Sequence, residues 1–184
     1  MDYQRIIDKY YPQKTNPLLR ELLITHSRQV ADFAIELIQR RGLENAMNAD
    51  FVYGAAMLHD IGIYRTNAPG IYCHGTHNYM EHGLIGAEIL REEGIEAEPY
   101  ALVCERHIGT GLTAEEIIAQ NLPLPHNDFL PLTLEEKLVC YADNFFSKSD
   151  TGKFATIDQL RKKMQNYGKE CVKRLEDLID LFGY

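Results

Sequence analysis

The sequence predicts an all-α, single-domain helical bundle. Apolar residues recur at helical spacing along almost the whole chain, and no useful length of sequence alternates apolar and polar residues. Two segments open with capping-box sequences, Thr113–Glu116 and Thr133–Glu136, which typically begin helices. The length of 184 residues suits one domain with a sizeable core, and 45% hydrophobic with 25% charged residues is an ordinary globular composition.

The first half of the chain predicts three helices, over Tyr3–Tyr11, Pro17–Arg41 and Asn48–Ile61. Pro12 ends the first helix, because proline cannot continue a helix, and Gly42 ends the second. The apolar stripe of the second helix reads Leu19, Leu23, His26, Val30, Phe33 and Leu37. The segment Ile63–Tyr79 contains proline and glycines without a helical period, so we expect a loop over the helix ends.

The second half predicts one helix that begins near His82 and ends at Gly94, and another that carries Tyr100–His107. A short helix follows Thr113 to about Asn121, and the helix that opens at Thr133 bears Asp143. The stretch Thr156–Phe182 is amphipathic and predicts one long helix, with a break near Gly168 as the alternative. We expect the core to span about residues 18–148, with residues 156–184 packed on it.

The most informative feature is His59-Asp60, which ends an apolar segment just before Gly62. A histidine and a carboxylate side by side can hold a divalent metal. Further histidines and a further aspartate lie on other amphipathic segments, at His26, His82, His107 and Asp143. Helices that neighbour each other in a bundle recur along the chain at about the spacing of the segments that carry these residues. All six side chains can therefore face one central pocket.

A lone histidine on an apolar face is usually a core residue bonded to a backbone carbonyl, so the aspartates decide between the two interpretations. Asp143 lies on a stripe with Val139, Cys140 and Phe146, where an unpaired carboxylate is costly to bury. Asp60 lies at the negative end of a helix, which also disfavours a carboxylate without a nearby cation. None of the residues nearest to Asp143 on this apolar face is a lysine or an arginine. A metal ion is therefore the simplest source of positive charge to compensate the buried carboxylate.

Three other histidines are weaker candidates. His74 and His77 precede the His82 helix, where they are either rim residues or alternatives to His82 as a ligand. His126 lies between Pro125 and Asn127 and is predicted as a loop residue.

Five short motifs carry a resemblance to a known family, in the order His, His-Asp, His, His, Asp. They are Thr25–Val30, His59–Gly62, His82–Ala87, Glu105–His107 and Tyr141–Asn144. The chain resembles the HD-domain superfamily of metal-dependent phosphohydrolases, in particular its small stand-alone His-Asp-Ile-Gly members. The resemblance covers roughly Leu18–Lys148. His-Asp alone is a weak signal, but the ordered series is specific.

The resemblance implies a ligand assignment and a reaction. His26, His59, Asp60 and Asp143 would hold one metal, and Asp60 would bridge to a second completed by His82 and His107. Imidazole and carboxylate ligands without thiolate suit one or two ions of iron, manganese, cobalt, nickel or zinc. Water activated by the ions would attack phosphorus in a small phosphate ester, most simply a nucleotide or dinucleotide.

Asp60 would then be the catalytic ligand that positions the attacking water. Arg65, five residues beyond it, and Arg106, beside His107, are the candidate cations for substrate phosphate, with Lys148 as a further one. Two rival functions remain open: an HD-fold di-iron oxygenase and a non-catalytic nucleotide-sensing module. The oxygenases place a substrate-binding lysine near the ligands, whereas Ile63 and Ile85 occupy the corresponding positions here.

Composition excludes several other classes of function. The net charge of −8 argues against polymeric nucleic acid as a partner, because such binding depends on clustered lysine and arginine. No apolar run approaches the length of a membrane span and the first residues are no secretion signal, so we expect a cytoplasmic protein without membrane contact. The four cysteines form no Cys-x-x-Cys pair, which argues against a zinc ribbon or a redox motif.

Overall fold

The computed structural model describes residues 1–184 and confirms the all-α class. The nine helices are α1 (Tyr3–Tyr10), α2 (Pro17–Arg41), α3 (Ala49–Leu58), α4 (His82–Arg91), α5 (Glu98–Arg106), α6 (Ala114–Ala119), α7 (Leu134–Asp143), α8 (Ile157–Gln165) and α9 (Lys169–Phe182). Two small antiparallel sheets pair β1 (Asn67–Ala68) with β2 (Cys73–His74), and β3 (Phe146–Ser147) with β4 (Asp150–Phe154).

Helix α2 forms the centre of the molecule and begins and ends where the sequence predicts. The Asn16 side chain accepts a hydrogen bond from the Leu19 backbone, and Pro17 fills the first helical position. Gly42 closes the helix in the left-handed conformation, with φ of 64°. Every member of the predicted stripe is buried: Leu19, Leu23, His26, Val30, Phe33 and Leu37.

One apolar cluster joins the helices around α2. Helices α3, α7 and α9 pack against α2, and α4 packs on α5. From the C-terminal helix, Leu175, Leu178 and Phe182 are buried in this same cluster. Complete burial of a large apolar side chain contributes about 1.5–3 kcal/mol, so these residues bind α9 firmly to the core. None of the helices combines the length and apolar character required to cross a membrane.

The second half of the chain departs from the sequence prediction at three points. The stretch Thr156–Phe182 is two helices and not one, as in the alternative given above. The break lies at Gly168, which adopts φ of 113°, a value that residues other than glycine rarely adopt. The Thr133 side chain caps α7, but the Glu136 carboxylate does not complete the box and instead accepts from the Leu132 backbone and Arg106. The β3–β4 hairpin was not predicted, and neither was the β1–β2 hairpin, which lies in the first half of the chain within the segment expected to be a loop.

The β3–β4 hairpin depends on contacts with residues remote in sequence. The ring of Phe33, on α2, packs edge-on against Phe145 and Phe154, with centroid separations of 5.0 and 5.1 Å. Gln29, one turn earlier on α2, donates a hydrogen bond of 2.6 Å to the Thr151 carbonyl. These contacts position Lys148, which lies in the turn between the two strands.

Candidate metal centre

The six predicted ligands converge at the ends of the central helices. His26 projects from the middle of α2, whereas the other five residues lie at helix ends or just beyond them: His59, Asp60, His82, His107 and Asp143. All five residues other than Asp143 are buried, and the Asp143 side chain is only 15% exposed. A helix end leaves room for an ion, because no further turn covers it.

The ligands form two groups that share Asp60. The first ligand group contains His26, His59, Asp60 and Asp143, and the second contains Asp60, His82 and His107. Within each group the candidate donor atoms all lie within 4.8 Å of one another. Such a separation is compatible with a common ion after small side-chain movements, since metal–ligand bonds are about 2.0–2.3 Å long.

Asp60 presents one carboxylate oxygen to each group. Its Oδ2 lies 3.3 Å from His26 Nε2 and 3.1 Å from His59 Nε2. Its Oδ1 lies 3.4 Å from His82 Nε2 and 3.6 Å from His107 Nε2. A carboxylate placed in this way would offer one oxygen to an ion in each group.

Three histidines are oriented by hydrogen bonds to the backbone carbonyl three residues earlier. His59 Nδ1 bonds Ala56 O at 2.6 Å, His82 Nδ1 bonds Tyr79 O at 2.6 Å, and His107 Nδ1 bonds Cys104 O at 2.8 Å. A carbonyl only accepts, so each Nδ1 carries the proton. In the neutral form of each ring, the lone pair of Nε2 is then directed into the site, as a metal ligand requires.

The two histidines of the second ligand group have Nε2 atoms close enough to share a cation. His82 Nε2 and His107 Nε2 are 3.0 Å apart, and both rings already use their Nδ1 protons on carbonyls. Burial, opposed by Asp60 and reinforced by His107, lowers the pKa of His82 to about 3, so its ring is neutral. With a neutral His107 ring as well, the two Nε2 lone pairs would face each other, and a cation between the nitrogens would remove their repulsion.

Unpaired atoms in the interior indicate the same need. His59 Nε2 and Asp60 Oδ1 are buried without a hydrogen bond of good geometry, whereas Asp60 Oδ2 is in contact with the Lys148 ammonium group. Buried polar atoms are nearly always paired, so two such atoms at one point require an explanation. The nitrogen and oxygen donor set fits a divalent transition metal.

Lys148, which was predicted only as a further candidate cation, supplies the local positive charge. Its Nζ lies 2.7 Å from Asp60 Oδ2 and 3.8 Å from Asp143 Oδ1. Burial alone would raise the pKa values of both aspartates, but Lys148 and the neighbouring histidines hold these pKa values well below the usual range. Burial likewise opposes protonation of His59, yet Asp60 and Asp143 raise its pKa to about 10.

The two arginines predicted to bind substrate phosphate lie elsewhere. Arg65 Nε donates a hydrogen bond of 3.0 Å to Tyr64 Oη, and Arg106 Nη1 forms an ion pair of 2.9 Å with Glu136. Neither residue lines the cavity at the metal centre. A role of the two arginines in phosphate binding stays a prediction, and their positions show that proximity in sequence to Asp60 or His107 does not fix the direction of a long side chain.

The remaining histidines lie outside the two ligand groups. His74 and His126 are exposed, and the half-exposed His77 lies 3.8 Å from Glu81. His82 is therefore the residue of this region that joins the ligands.

Gly62 permits the close packing on which the centre depends. A Cβ atom at this position would lie 2.3 Å from His82 O and 2.5 Å from Gly86 N. Any side chain would therefore force α4 away from the turn after Asp60. The glycine of His-Asp-Ile-Gly keeps His82 within reach of Asp60.

A cavity of about 850 Å³ opens beside the centre. His82, His107, Asp143 and Lys148 line it at the metal ligands. Helix α8 contributes Leu160 and Met164, and the β3–β4 hairpin contributes Phe146 and Phe154, so the walls are largely apolar. A cavity of this size suits a small organic ligand.

Comparison with known proteins identifies the domain. Residues 23–147 match the family model of the HD domain, a range that contains all six ligands. An uncharacterized protein of Methanocaldococcus jannaschii is 42% identical over 169 residues, which are 89% of this chain and 89% of that protein. No solved structure matches the chain significantly.

Two further relatives are named tRNA (cytidine(56)-2′-O)-methyltransferases. The protein from Thermoplasma volcanium is 34% identical over 162 residues, and that from Picrophilus torridus is 32% identical over 173 residues. The matches cover 86% and 90% of this chain but only 42% and 44% of the two relatives. The chain thus spans less than half the length of these methyltransferases. By the family match and the near full-length relative, the chain belongs to the HD-domain family.

Proposed function

We propose that this protein is a metal-dependent hydrolase of a small phosphate ester, with a nucleotide or dinucleotide as the preferred class. The observation that carries the proposal is the position of Asp60, whose two oxygens face two ligand groups at the base of a cavity. The two methyltransferase relatives act on tRNA by name, which supports a substrate derived from nucleotides.

The residues divide into those that would hold the ions and those that would bind substrate. The first ligand group would hold one ion, and Asp60 with His82 and His107 would hold the second. When bound, the ions would supply Lewis-acid activation of water and stabilise charge on the phosphoryl oxygens. The carbonyl bonds to Nδ1 fix the ligand rings, so little reorganisation would accompany the reaction.

Lys148 takes the phosphate-binding role that was predicted for Arg65 and Arg106. Its ammonium group lies at the boundary between Asp60 and the cavity, and its side chain is 13% exposed. A cation at this point can bind a phosphoryl oxygen and orient phosphorus toward the attacking water. Contact with Asp60 and Asp143 raises the pKa of Lys148, so the ammonium remains charged at neutral pH.

Metal analysis and phosphate release test the proposal together. The protein is loaded with manganese or iron, its metal content is measured, and a panel of phosphomonoesters, phosphodiesters and dinucleotides is assayed for released phosphate or nucleotide. Turnover that is lost in Asp60→Asn supports the proposal. Nucleotide binding by calorimetry without any hydrolysis would favour the sensing module instead.

A di-iron oxygenase remains the second candidate because of Lys148. The absence of lysine at Ile63 and Ile85 counted against an oxygenase, but the hairpin brings Lys148 to within 2.7 Å of Asp60 from another part of the chain. Oxygen consumption by the ferrous protein, with inositol or hydroxyphosphonate substrates, decides between the two reactions. Consumption without phosphate release would replace the hydrolase proposal.

A further inference from the structure

The cavity beside the metal centre is lined by more lysine than carboxylate, although the protein as a whole is acidic. The chain has 27 acidic and 19 basic residues, yet the cavity is lined by three lysines, Lys148, Lys153 and Lys163, and by only one carboxylate, Asp143. Lys148 contacts Asp60 and Asp143, and Lys153 pairs with Asp150 outside the lining. Lys163 is therefore the lining lysine whose charge is left for an anionic ligand.

Lys163 offers a second anion-binding group that is distinct from Lys148. It projects from α8, and its Nζ lies 3.5 Å from the side-chain oxygen of Asn144. The Asn144 amide nitrogen donates to Gly109 O and to Cys140 O at 2.8 Å, which turns the amide oxygen toward Lys163. A neutral acceptor thus orients the ammonium group while its charge stays available, because Lys163 has no carboxylate partner.

Lys153 does not offer the same opportunity. Its ammonium group is paired with Asp150 of the same hairpin, and its side chain is 79% exposed. The pair cancels most of the charge, and water screens what remains. Lys153 therefore serves as a natural control for Lys163.

The apolar walls indicate what else the ligand contains. Phe154, Leu160 and Met164 line the cavity together with Lys163. A volume of about 850 Å³ is far larger than one phosphate group requires and accommodates an organic body. Apolar walls stabilise the hydrocarbon or aromatic part of such a body by removing it from water.

We propose that the substrate carries a second anionic group in addition to the reacting phosphoryl group, and that Lys163 binds it. The inference rests on the proposed function, because it takes the reacting phosphoryl group to lie at the metal ligands and Lys148. The substrate class is then a phosphate ester with an apolar or aromatic body and a second phosphate or carboxylate.

Matched synthetic probes test this site without knowledge of the natural substrate. Isothermal titration calorimetry on the manganese-loaded protein compares hexyl phosphate with hexanediol bisphosphate, and then their shorter and longer homologues. The variants are Lys163→Ala, Lys153→Ala and Lys162→Ala, of which Lys162 lies on the same helix but does not line the cavity. All three variants remove one positive charge.

A bisphosphate has a statistical advantage over the monophosphate because either of its two equivalent ends can bind. After correction for this advantage, we expect the bisphosphate of suitable length to bind about fivefold more tightly. Lys163→Ala should reduce the preference to that statistical advantage, and both control variants should keep it. Higher salt concentration should weaken the preference, because Lys163 is exposed.

Equal affinity for the two probes, failure of both to bind, or a preference that survives Lys163→Ala would overturn the inference. Phosphate release from both probes is recorded in parallel. A Lys163-dependent preference without any hydrolysis leaves the anion site intact and contradicts the hydrolase proposal. Hydrolysis without a Lys163-dependent preference would support the hydrolase proposal and overturn the anion site.

Discussion

Asp60 combines two requirements in one carboxylate, since it faces both ligand groups and also pairs with Lys148. Its place directly after His59, at the end of α3, gives the two residues different directions into the same site. A neutral amide of the same shape would keep the packing and lose the charge. The metal centre should therefore respond to a very small chemical change at this residue.

We expect Asp60→Asn to lose at least one of the two ions and to abolish phosphate release. The amide cannot bridge two cations, and the remaining ligands of the second group are only His82 and His107. Metal content per chain, measured by mass spectrometry, checks the prediction. Asp32→Asn, an exposed carboxylate of α2, is the matched control and should retain metal and activity. Full metal occupancy in Asp60→Asn would show that Asp60 does not bridge.

Lys148→Met should weaken substrate binding and leave metal content unchanged. A charge-assisted hydrogen bond contributes about 1.5–3 kcal/mol, so KM should rise at least about tenfold. Steady-state kinetics on the loaded protein measure the change. Lys153→Met alters the other lysine of the same hairpin and should leave KM unchanged. Loss of metal from Lys148→Met would instead assign the lysine a structural role at the ligands.

At the scale of elements, the helix ends decide where chemistry occurs. The turn after α3, the start of α4 and the ends of α5 and α7 all meet at one point, and Gly62 allows the closest of these approaches. Helix α1 lies outside this arrangement; Ile6 and Ile7 are buried in the apolar cluster, and polar contacts hold its outer face. Glu93, just after α4, accepts hydrogen bonds from Arg5 at 2.7 Å, Lys9 at 2.5 Å and Tyr10 at 3.0 Å.

The attachment of α1 should depend on pH. The hydrogen bond from Lys9 and those from Arg5 and Tyr10 lower the pKa of Glu93 from its ordinary 4.5 to about 2, against the opposing effect of burial. A lowered pKa in the folded state means that the stabilisation is complete above pH 4.5 and is lost as the pH falls toward 2. Glu93→Gln should therefore lower the free energy of unfolding near neutral pH by about 1–2 kcal/mol.

Urea denaturation at neutral pH and at several pH values below 4.5 measures this effect. The difference between wild type and Glu93→Gln should shrink with acidity. Glu92→Gln changes an exposed neighbour and should have almost no effect at any pH. A difference that stays constant down to the lowest pH would mean that the charge of Glu93 is not what stabilises the contact.

At the scale of the whole molecule, the metal centre should stabilise the fold. Its ligands come from five helices or their ends, so an ion would join α2, α3, α4, α5 and α7 at one point. A metal ion whose free concentration is about a hundred times its dissociation constant stabilises the folded state by about 2.7 kcal/mol. Removal of metal with a chelator should therefore lower Tm by about 5–10 °C for a protein of this size.

Scanning calorimetry of the loaded and stripped protein checks this prediction. Asp60→Asn should show little further decrease in Tm on addition of chelator, because it holds less metal at the start. A loaded protein whose Tm is insensitive to chelator would mean that the ions contribute nothing to the stability of the bundle.

Local rules predicted most of the fold. Asn16, Pro17 and Gly42 mark the ends of α2 through contacts within a few residues, and the Thr113 capping box forms as expected. The two small hairpins were not predicted because their sequences do not alternate apolar and polar residues. The β3–β4 hairpin also depends on partners that are remote in the sequence, such as Phe33 and Gln29. Gly168 was ambiguous, since its φ of 113° is a property of the packed chain and glycine alone permits either conformation.

What the sequence determined by itself is the all-α class and the six candidate ligands, because helical periodicity and helix ends depend on neighbouring residues. Only the tertiary structure decided that both oxygens of Asp60 face ligand groups, that Lys148 and not Arg65 or Arg106 lies at the site, and that Lys163 shares the cavity. The physical reason is that the direction of a long charged side chain depends on the elements packed around it, and these elements are far apart in the chain.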